Sequence, residues 1–376
     1  MYKAVIIRLF PDRQQEEKLL QSAGISRFVW NWALTLNKQT YELTHKTLSG
    51  YDMINEFTKL RRQEGYSWLC QVSCEVGYNA ILDLEKAYKN FFRRNKTGLR
   101  GGFPRFKAKG VSIPSFCLSS RRVYMSADDR IYLMKIGHVK CKTISGLRGL
   151  KFWNTRIKYE NGKWLLKCTV KQEDIIPDVK LSPSAMGIDV GVKSLAVLSM
   201  SGRKRVFRNI NRSHRMRRLI RQLKHHQRGL SRKQKGSHNR LKTRYRVQKL
   251  FGKIKRVRHG YIYQTAAEIV KMKPSVIVME TLNIPAMMKN RHLARAISEQ
   301  DWGLFRSVLE RKAEQSGIRV MFADKFFPSS KKCSVCGHVR EKLRLDERIY
   351  HCPECGHETD RDYNAAVNLE NLAYTA

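Results

Sequence analysis

Three carboxylates in this sequence stand where metal-assisted chemistry could be done. Asp189 closes the apolar run A-M-G-I-D, Glu280 closes S-V-I-V-M-E, and Asp362 opens D-Y-N-A-A-V-N-L. Acids at the C-terminal ends of strands point into the crevice where open α/β sheets place their sites. Hydrolysing a phosphodiester requires neutralised charge and an activated water, and two Mg2+ ions roughly 3.5–4 Å apart can supply both. Hard cations, Mg2+ or Mn2+, take oxygen ligands, so about three shared carboxylates would hold such a pair. In this arrangement Asp189 bridges the ions while Glu280 and Asp362 each hold one. Taken singly, each acid reads as a cap or turn residue. Together they are distinctive, because each follows a strongly apolar segment or opens a helix in a chain poor in acids. Asp360 competes for the third position.

A second constellation is made of thiols. Cys333 and Cys336 form one C-x-x-C pair, Cys352 and Cys355 another, and Gly337 and Gly356 follow them. Four thiolates bind Zn2+ tetrahedrally and leave no open position, so one structural zinc is expected. Rubredoxin-type iron would use the same ligands, and redox-active pairs are the other reading. His338 and His357 would be redundant as ligands and read as surface or nucleic-acid contacts. The remaining cysteines, Cys70, Cys74, Cys117, Cys141 and Cys168, are scattered and read as buried or free thiols.

Composition narrows the partner. Lys and Arg number 74 against 32 acids, a net charge of +42, and nucleic acid is the commonest polyanion to offset such a charge. An anionic membrane surface is the rival, but no stretch approaches the roughly 18–20 apolar residues of a spanning helix. The first residues lack a signal-peptide core, so an intracellular, nucleoid-associated protein is expected, a monomer or weak dimer. Residues 203–258 hold 23 Lys or Arg, and no acid occurs from 190 to 267. Solvated helices usually mix signs, so this stretch reads as phosphate-binding, with Arg215, Arg217, Arg218, Arg221, Lys224 and Arg228 as candidates. Arg105 and Lys107, in F-P-R-F-K, join them. The aromatics beside basic residues there and at Phe91-Phe92 could stack on bases, although core packing is their commoner role.

The elements that must position these residues follow from periodicity. A strand over 2–10 ends at Pro11, and one or two amphipathic helices follow to about His45. Residues 73–94 predict a helix with Val76, Ala80, Leu84, Tyr88 and Phe91 on one face. Short Val/Ile/Tyr-rich runs across 112–173 predict strands of a small sheet or barrel. The second half predicts two strands from 185 to 200, then two basic helices broken near Gly236. In the second of these, Leu241, Tyr245, Leu250, Phe251, Ile254 and Val257 would pack inward. A strand at 275–280, a helix near 299–316, a strand at 318–324 and a closing helix complete an α/β domain of ribonuclease-H type.

The chain resembles the TnpB (OrfB) proteins of insertion sequences, relatives of type V CRISPR effector nucleases. The resemblance runs nearly end to end, through R-L-F-P, R-F-V-W-N-W-A, L-E-K-A-Y-K-N-F-F, G-F-P-R-F-K, G-I-D-V-G-V-K, V-M-E-T-L-N-I, F-P-S-S-K-K-C-S-V-C-G and C-G-H-E-T-D-R-D-Y-N-A-A-V-N-L. It implies a transposon-associated RNA-guided DNA endonuclease with a RuvC-like, ribonuclease-H-fold nuclease domain at 182–332 and 357–376. A zinc ribbon would be inserted at 333–356. A wedge-type β-barrel at 1–10 and 100–181 would carry a helical recognition lobe at 11–99. The family's three acids map to Asp189, Glu280 and Asp362, which selects Asp362 over Asp360. The implied partners are a guide RNA from the transposon end and a double-stranded DNA target bearing a short flanking motif. One departure is that C-Q-V-S-C-E-V-G-Y-N-A-I lacks the glutamine-rich pattern of many relatives. A nucleic-acid-binding regulator or transposition accessory that cuts nothing, and a strand-transferring transposase, are the other readings of the same residues.

Overall fold

The computed structural model describes residues 2–98, 101–126, 129–142, 146–171, 180–344 and 347–375; the boundary expected at 99–100 lies outside them. The chain divides into two compact units, Met1–Glu173 and Asp174–Ala376.

The first unit begins with strand β1 (Tyr2–Phe10), whose alternation buries Val5, Ile7 and Leu9. Asp12 then caps a single helix, α1 (Arg13–Thr44). Its carboxylate accepts from the Gln15 N–H at 2.8 Å, and the Gln15 side chain accepts from the Asp12 N–H at 3.2 Å, satisfying two otherwise orphaned donors. The stretch read as one or two helices is thus one. Helices α2 (Gly50–Leu60) and α3 (Cys74–Lys96) follow. In α3 Val76, Ala80, Leu84 and Tyr88 are buried as the spacing predicts, with Phe91 half-buried.

Strands β2 (Ser115–Leu118), β3 (Val123–Met125), β4 (Arg130–Leu133), β5 (Gly137–Cys141), β6 (Trp153–Glu160) and β7 (Lys163–Lys171) complete a seven-stranded sheet, ordered β2-β6-β7-β1-β5-β4-β3. Every pairing in it is antiparallel. Among the described residues β2 and β3 are its free edges, so the hydrogen-bonded ladder is open where a barrel would close.

The second unit is built on a five-stranded sheet ordered β10-β9-β8-β11-β12. Its strands are β8 (Ala185–Asp189), β9 (Ser194–Met200), β10 (Arg203–Arg208), β11 (Val276–Met279) and β12 (Arg319–Phe322). β8, β9 and β10 form an antiparallel meander, whereas β11 runs parallel to both β8 and β12. Helices α4 (His214–Arg232) and α5 (His238–Lys271) separate β10 from β11, and they break at Gly236, whose φ is +89°. Short helices α6 (Ile284–Met287) and α7 (Ala294–Gln300) lead to α8 (Trp302–Glu314), the helix expected near 299–316, which starts after Asp301. A hairpin, β13 (Ile349–His351) and β14 (Glu358–Asp360), precedes the last helix, α9 (Arg361–Thr375).

Period-2 alternation splits β8 between the two sheet faces. Met186 and Ile188 join Ile262, Ala266, Phe305 and Leu309 of α5 and α8. Ala185 joins Val276, Val278 and Leu369 of α9. The basic hairpin has a small core of its own, made by Met216, Leu219, Leu223, Val247 and Ile254, with Leu250 and Val257 against it. Here one expectation is corrected. Leu241, Tyr245 and Phe251 are 48%, 37% and 49% exposed; the inward stripe of α5 instead runs through Thr243, Val247 and Ile254.

Candidate functional site

The register of two parallel strands sets the candidate site. Ile188 of β8 stands opposite Met279 of β11, so the next residues, Asp189 and Glu280, leave their strands at the same level. Both fall on the face that carries Ala185, Val276 and Val278, which is the face α9 covers. Helix α9 runs antiparallel to β8, its Tyr374 hydroxyl accepting from the Ala185 N–H at 2.9 Å. Its first turn, with Asp362, therefore lies at the Asp189 end.

Close approach makes this crossing possible. A Cβ at Gly187 would sit 1.9 Å from the Ala366 carbonyl oxygen and 2.4 Å from the Glu370 nitrogen. Glu370, buried beneath the helix, accepts from the Ser199 hydroxyl at 2.5 Å and the Ser201 N–H at 2.6 Å. That pair ties α9 to β9.

The loops behind the acids are also held. Gln300 donates to the carbonyls of Gly191 and Val192 at 3.1 and 2.9 Å, fixing the turn after Asp189. Thr281 donates to the Ala323 carbonyl at 2.7 Å, fixing the chain after Glu280.

The electrostatics follow from that convergence. Burial, and then the charges of Glu280 and Asp362, push the Asp189 carboxyl well above its ordinary value; Arg361 opposes the rise and Asp360 adds to it. Glu280 is also raised, by burial first and by Asp362, against a lowering hydrogen bond from Ser329. Asp362 meets the Arg361 guanidinium at 3.4 Å. Asp360 accepts from the Tyr363 N–H at 3.0 Å and pairs with Lys204 at 3.5 Å, so it caps α9. Carboxylates that raise one another by repulsion are hard oxygen donors whose repulsion a divalent cation would relieve, and the oxygens of the three do not all lie within 4.8 Å of one another.

The thiols gather more tightly. Among the described residues, Cys333, Cys336, Cys352 and Cys355 are the one group of metal-ligating side chains with ligand atoms all within 4.8 Å. Sulfurs held about 2.3 Å from one tetrahedral ion lie roughly 3.8 Å apart; the Cys333–Cys355 and Cys336–Cys352 sulfurs are 3.7 and 3.5 Å apart. The two knuckles are built alike. Gly337 donates to the Cys333 carbonyl and Gly356 to the Cys352 carbonyl, both at 3.1 Å, with glycine φ values of +79° and +70°. Backbone N–H groups of Cys355 and Glu354 hold the Cys352 thiol down at about 6. The donor set fits zinc. His338 faces Glu354 at 3.8 Å, and the carbonyls of His338 and His357 accept from Cys333 and Cys352.

Residue spacing did not reveal what joins the two constellations. Ser329, buried, donates its hydroxyl to Glu280. Asn368 donates to the carbonyls of Ser329 and Lys332 at 2.8 and 2.7 Å. Asn364 donates to the Lys332 carbonyl at 2.7 Å and accepts from the Ser334 N–H at 3.1 Å. The asparagines of N-A-A-V-N-L thus clamp the base of the cysteine loop to α9. Their repeat four residues apart was the available signal.

Of the candidate nucleic-acid contacts, Arg215, Arg217, Arg218, Arg221, Lys224 and Arg228 are all exposed on α4. Arg105 is exposed, and its carbonyl accepts from the Trp30 indole at 3.0 Å. Lys107 lies 3.5 Å over the Trp30 ring, and burial pulls its amine down to about 8. Among the other cysteines, Cys141 and Cys168 are buried with thiols pushed up to about 11, Cys70 is exposed, and Cys74 and Cys117 are intermediate. Among the described residues no helix is long and apolar enough to cross a membrane.

Comparison with known proteins identifies the lineage. Residues 167–291 match the OrfB family model described as "Probable transposase", and residues 302–369 match a Cas12f1-like TNB domain. A Streptomyces pristinaespiralis protein named "Putative RNA-guided DNA endonuclease" is 30% identical over 98% of this chain and 88% of its own length. The chain belongs to the TnpB (OrfB) family. A second relative of that kind, InsQ of Escherichia coli K12, is 29% identical over 98% of this chain and 91% of its own length and carries the same name. A Cas12f1 endodeoxyribonuclease of Sulfoacidibacillus thermotolerans is 30% identical over 36% of this chain and 32% of its own length. A third family model, described as a helix-turn-helix domain, matches residues 1–46. In this TnpB-family chain that span holds a strand, Tyr2–Phe10, and one unbroken helix of 32 residues, Arg13–Thr44.

Proposed function

We propose that this chain is an RNA-guided DNA endonuclease that hydrolyses phosphodiester bonds at Asp189, Glu280 and Asp362. The observation that carries the proposal is the shared level of Asp189 and Glu280 on adjacent parallel strands, with α9 laid across the same face. Further support comes from the meander-then-parallel sheet, which suits a RuvC-like, ribonuclease-H-type domain over 182–332 and 357–376. The relatives' names support the reaction class.

Asp189, Glu280 and Asp362 would hold two divalent ions, which when bound supply charge neutralisation at the phosphate and a water of lowered pKa. The chain's own part is positional. Ser329 fixes one oxygen of Glu280, Gln300 and Thr281 hold the loops behind the acids, and Glu370 keeps α9 seated. Cys333, Cys336, Cys352 and Cys355 would hold one structural zinc in a ribbon over 333–356. Residues 1–10 with 100–181 would be the wedge and 11–99 the recognition lobe. A guide RNA from the transposon end and a DNA duplex with a flanking motif are the proposed partners, with the exposed arginines of α4 on their phosphates.

Purified protein with its co-purified RNA should cut a matched duplex when Mg2+ is added, and Asp189→Ala should bind that duplex without cutting it. Wild-type protein that binds but never cuts would sink the nuclease reading, and joined donor–target products would point to strand transfer instead.

A further inference from the structure

The solvent face of the sheet in the first unit carries a feature unrelated to the acids. Tyr124 of β3, Tyr132 of β4 and His138 of β5 stand directly opposite one another in register. Tyr124 and Tyr132 stack, with ring centroids 4.9 Å apart and 24° between their planes; His138 lies 5.1 Å from Tyr132. Alternation sends their strand neighbours Val123, Ile131, Leu133 and Val139 into the core and these rings outward. Because β3 is the last strand of the sheet, the stack among the described residues stops at Tyr124, which is 47% exposed.

Two residues along the same face, Arg130 and Lys140 stand opposite each other, both exposed. Strands β3, β4 and β5 contain no acid, although Asp128 and Asp129 directly precede Arg130 in the chain. Cross-strand aromatic pairs stabilise sheets, but that role does not call for cations on the same face. A ring stack ending at an open edge and bordered by cations fits a planar, anionic polymer. Bases stack on aromatic side chains displayed by a sheet, and cations beside them meet the backbone.

We propose that this face is a stacking platform for an unpaired segment of RNA, with one base continuing the Tyr132–Tyr124 stack and Arg130 and Lys140 at its phosphates. RNA is chosen over DNA because RNA loops and ends present bases already unstacked, whereas a duplex must first give them up. The presence of RNA rests on the guided-nuclease reading. The test, however, needs neither a target nor cutting, so the two can fail separately.

The probe is a uridine-rich single-stranded RNA of about ten nucleotides carrying 5-iodouridine, bound to the full chain at raised salt, where phosphate contacts weaken. Irradiation should crosslink it to peptides bearing Tyr124, Tyr132 or His138. Replacing both tyrosines by Ala should weaken binding about five- to 150-fold, the range for one stacked base, while Phe at both positions should preserve it. Crosslinks mapping only elsewhere would overturn the proposal even if the Ala variant failed to fold. So would wild-type affinity in a folded Ala variant, or single-stranded DNA of the same sequence outcompeting the RNA.

Discussion

Asp189 shows what the site costs the fold. Its carboxyl is raised well above 3.8 by burial and by Glu280 and Asp362, so without metal its charged form is destabilising. A raised carboxyl contributes stability that is fully present below the unfolded value and is lost as pH rises through the folded one. Asp189→Asn removes that charge while keeping the shape. Thermal melts of metal-free protein should therefore place the variant a few degrees above wild type at neutral pH and close to it near pH 4, with cleavage abolished. An equal or lower neutral melting point would contradict the repulsion inferred here. The three proposed acids can be singled out in the sequence because each closes an apolar run or opens a helix. Ser329, Asn364 and Asn368 were not, because a buried hydroxyl or amide takes its meaning from partners distant in the chain.

At the scale of elements, the crossing of α9 over β8 decides whether the acids meet at all. The atoms a Cβ would meet at Gly187 are backbone, which cannot rotate away. Gly187→Ala should cost about 3 kcal/mol or more, read as a lower denaturation midpoint together with lost cleavage; an unperturbed midpoint would show that α9 does not lie this close. The cysteine loop makes a separate prediction. Metal analysis should find about one Zn2+ per chain, and Cys352→Ser should speed hydrogen exchange across 329–360; full protection without zinc would remove its structural role.

The strong periodic elements were readable in advance, down to the break at Gly236. Strand β10 was not, because R-K-R-V-F-R buries only Phe207 and reads as more of the basic stretch. The α5 stripe was misphased because apolar residues lie on both sides of that helix, and only its pairing with α4 selects Val247 and Ile254 over Tyr245 and Phe251.

For the whole molecule, a charge of +42 makes nucleic-acid binding a counterion-release process. Affinity should fall steeply and linearly on a log–log plot against salt, and each exposed phosphate contact removed should flatten the slope by about 0.7–0.9. Arg221→Gln should do so, whereas Lys107→Gln, with its amine over Trp30, should leave the slope unchanged. The reverse pattern would move the interface away from α4.

The place of α9 in the chain also has a consequence for biosynthesis. Asp362 is polymerised 173 residues after Asp189 (362 − 189), which at about 5–20 residues per second is a delay of roughly 9–35 s. For the first 91 of those residues (280 − 189) Asp189 is the one acid of the three yet made, and when Glu280 follows, the Gly187 groove still waits for its helix. The third arrives with the helix that fills the groove. A ribosome that has not yet made Asp362 therefore carries a chain that cannot assemble the proposed three-acid site.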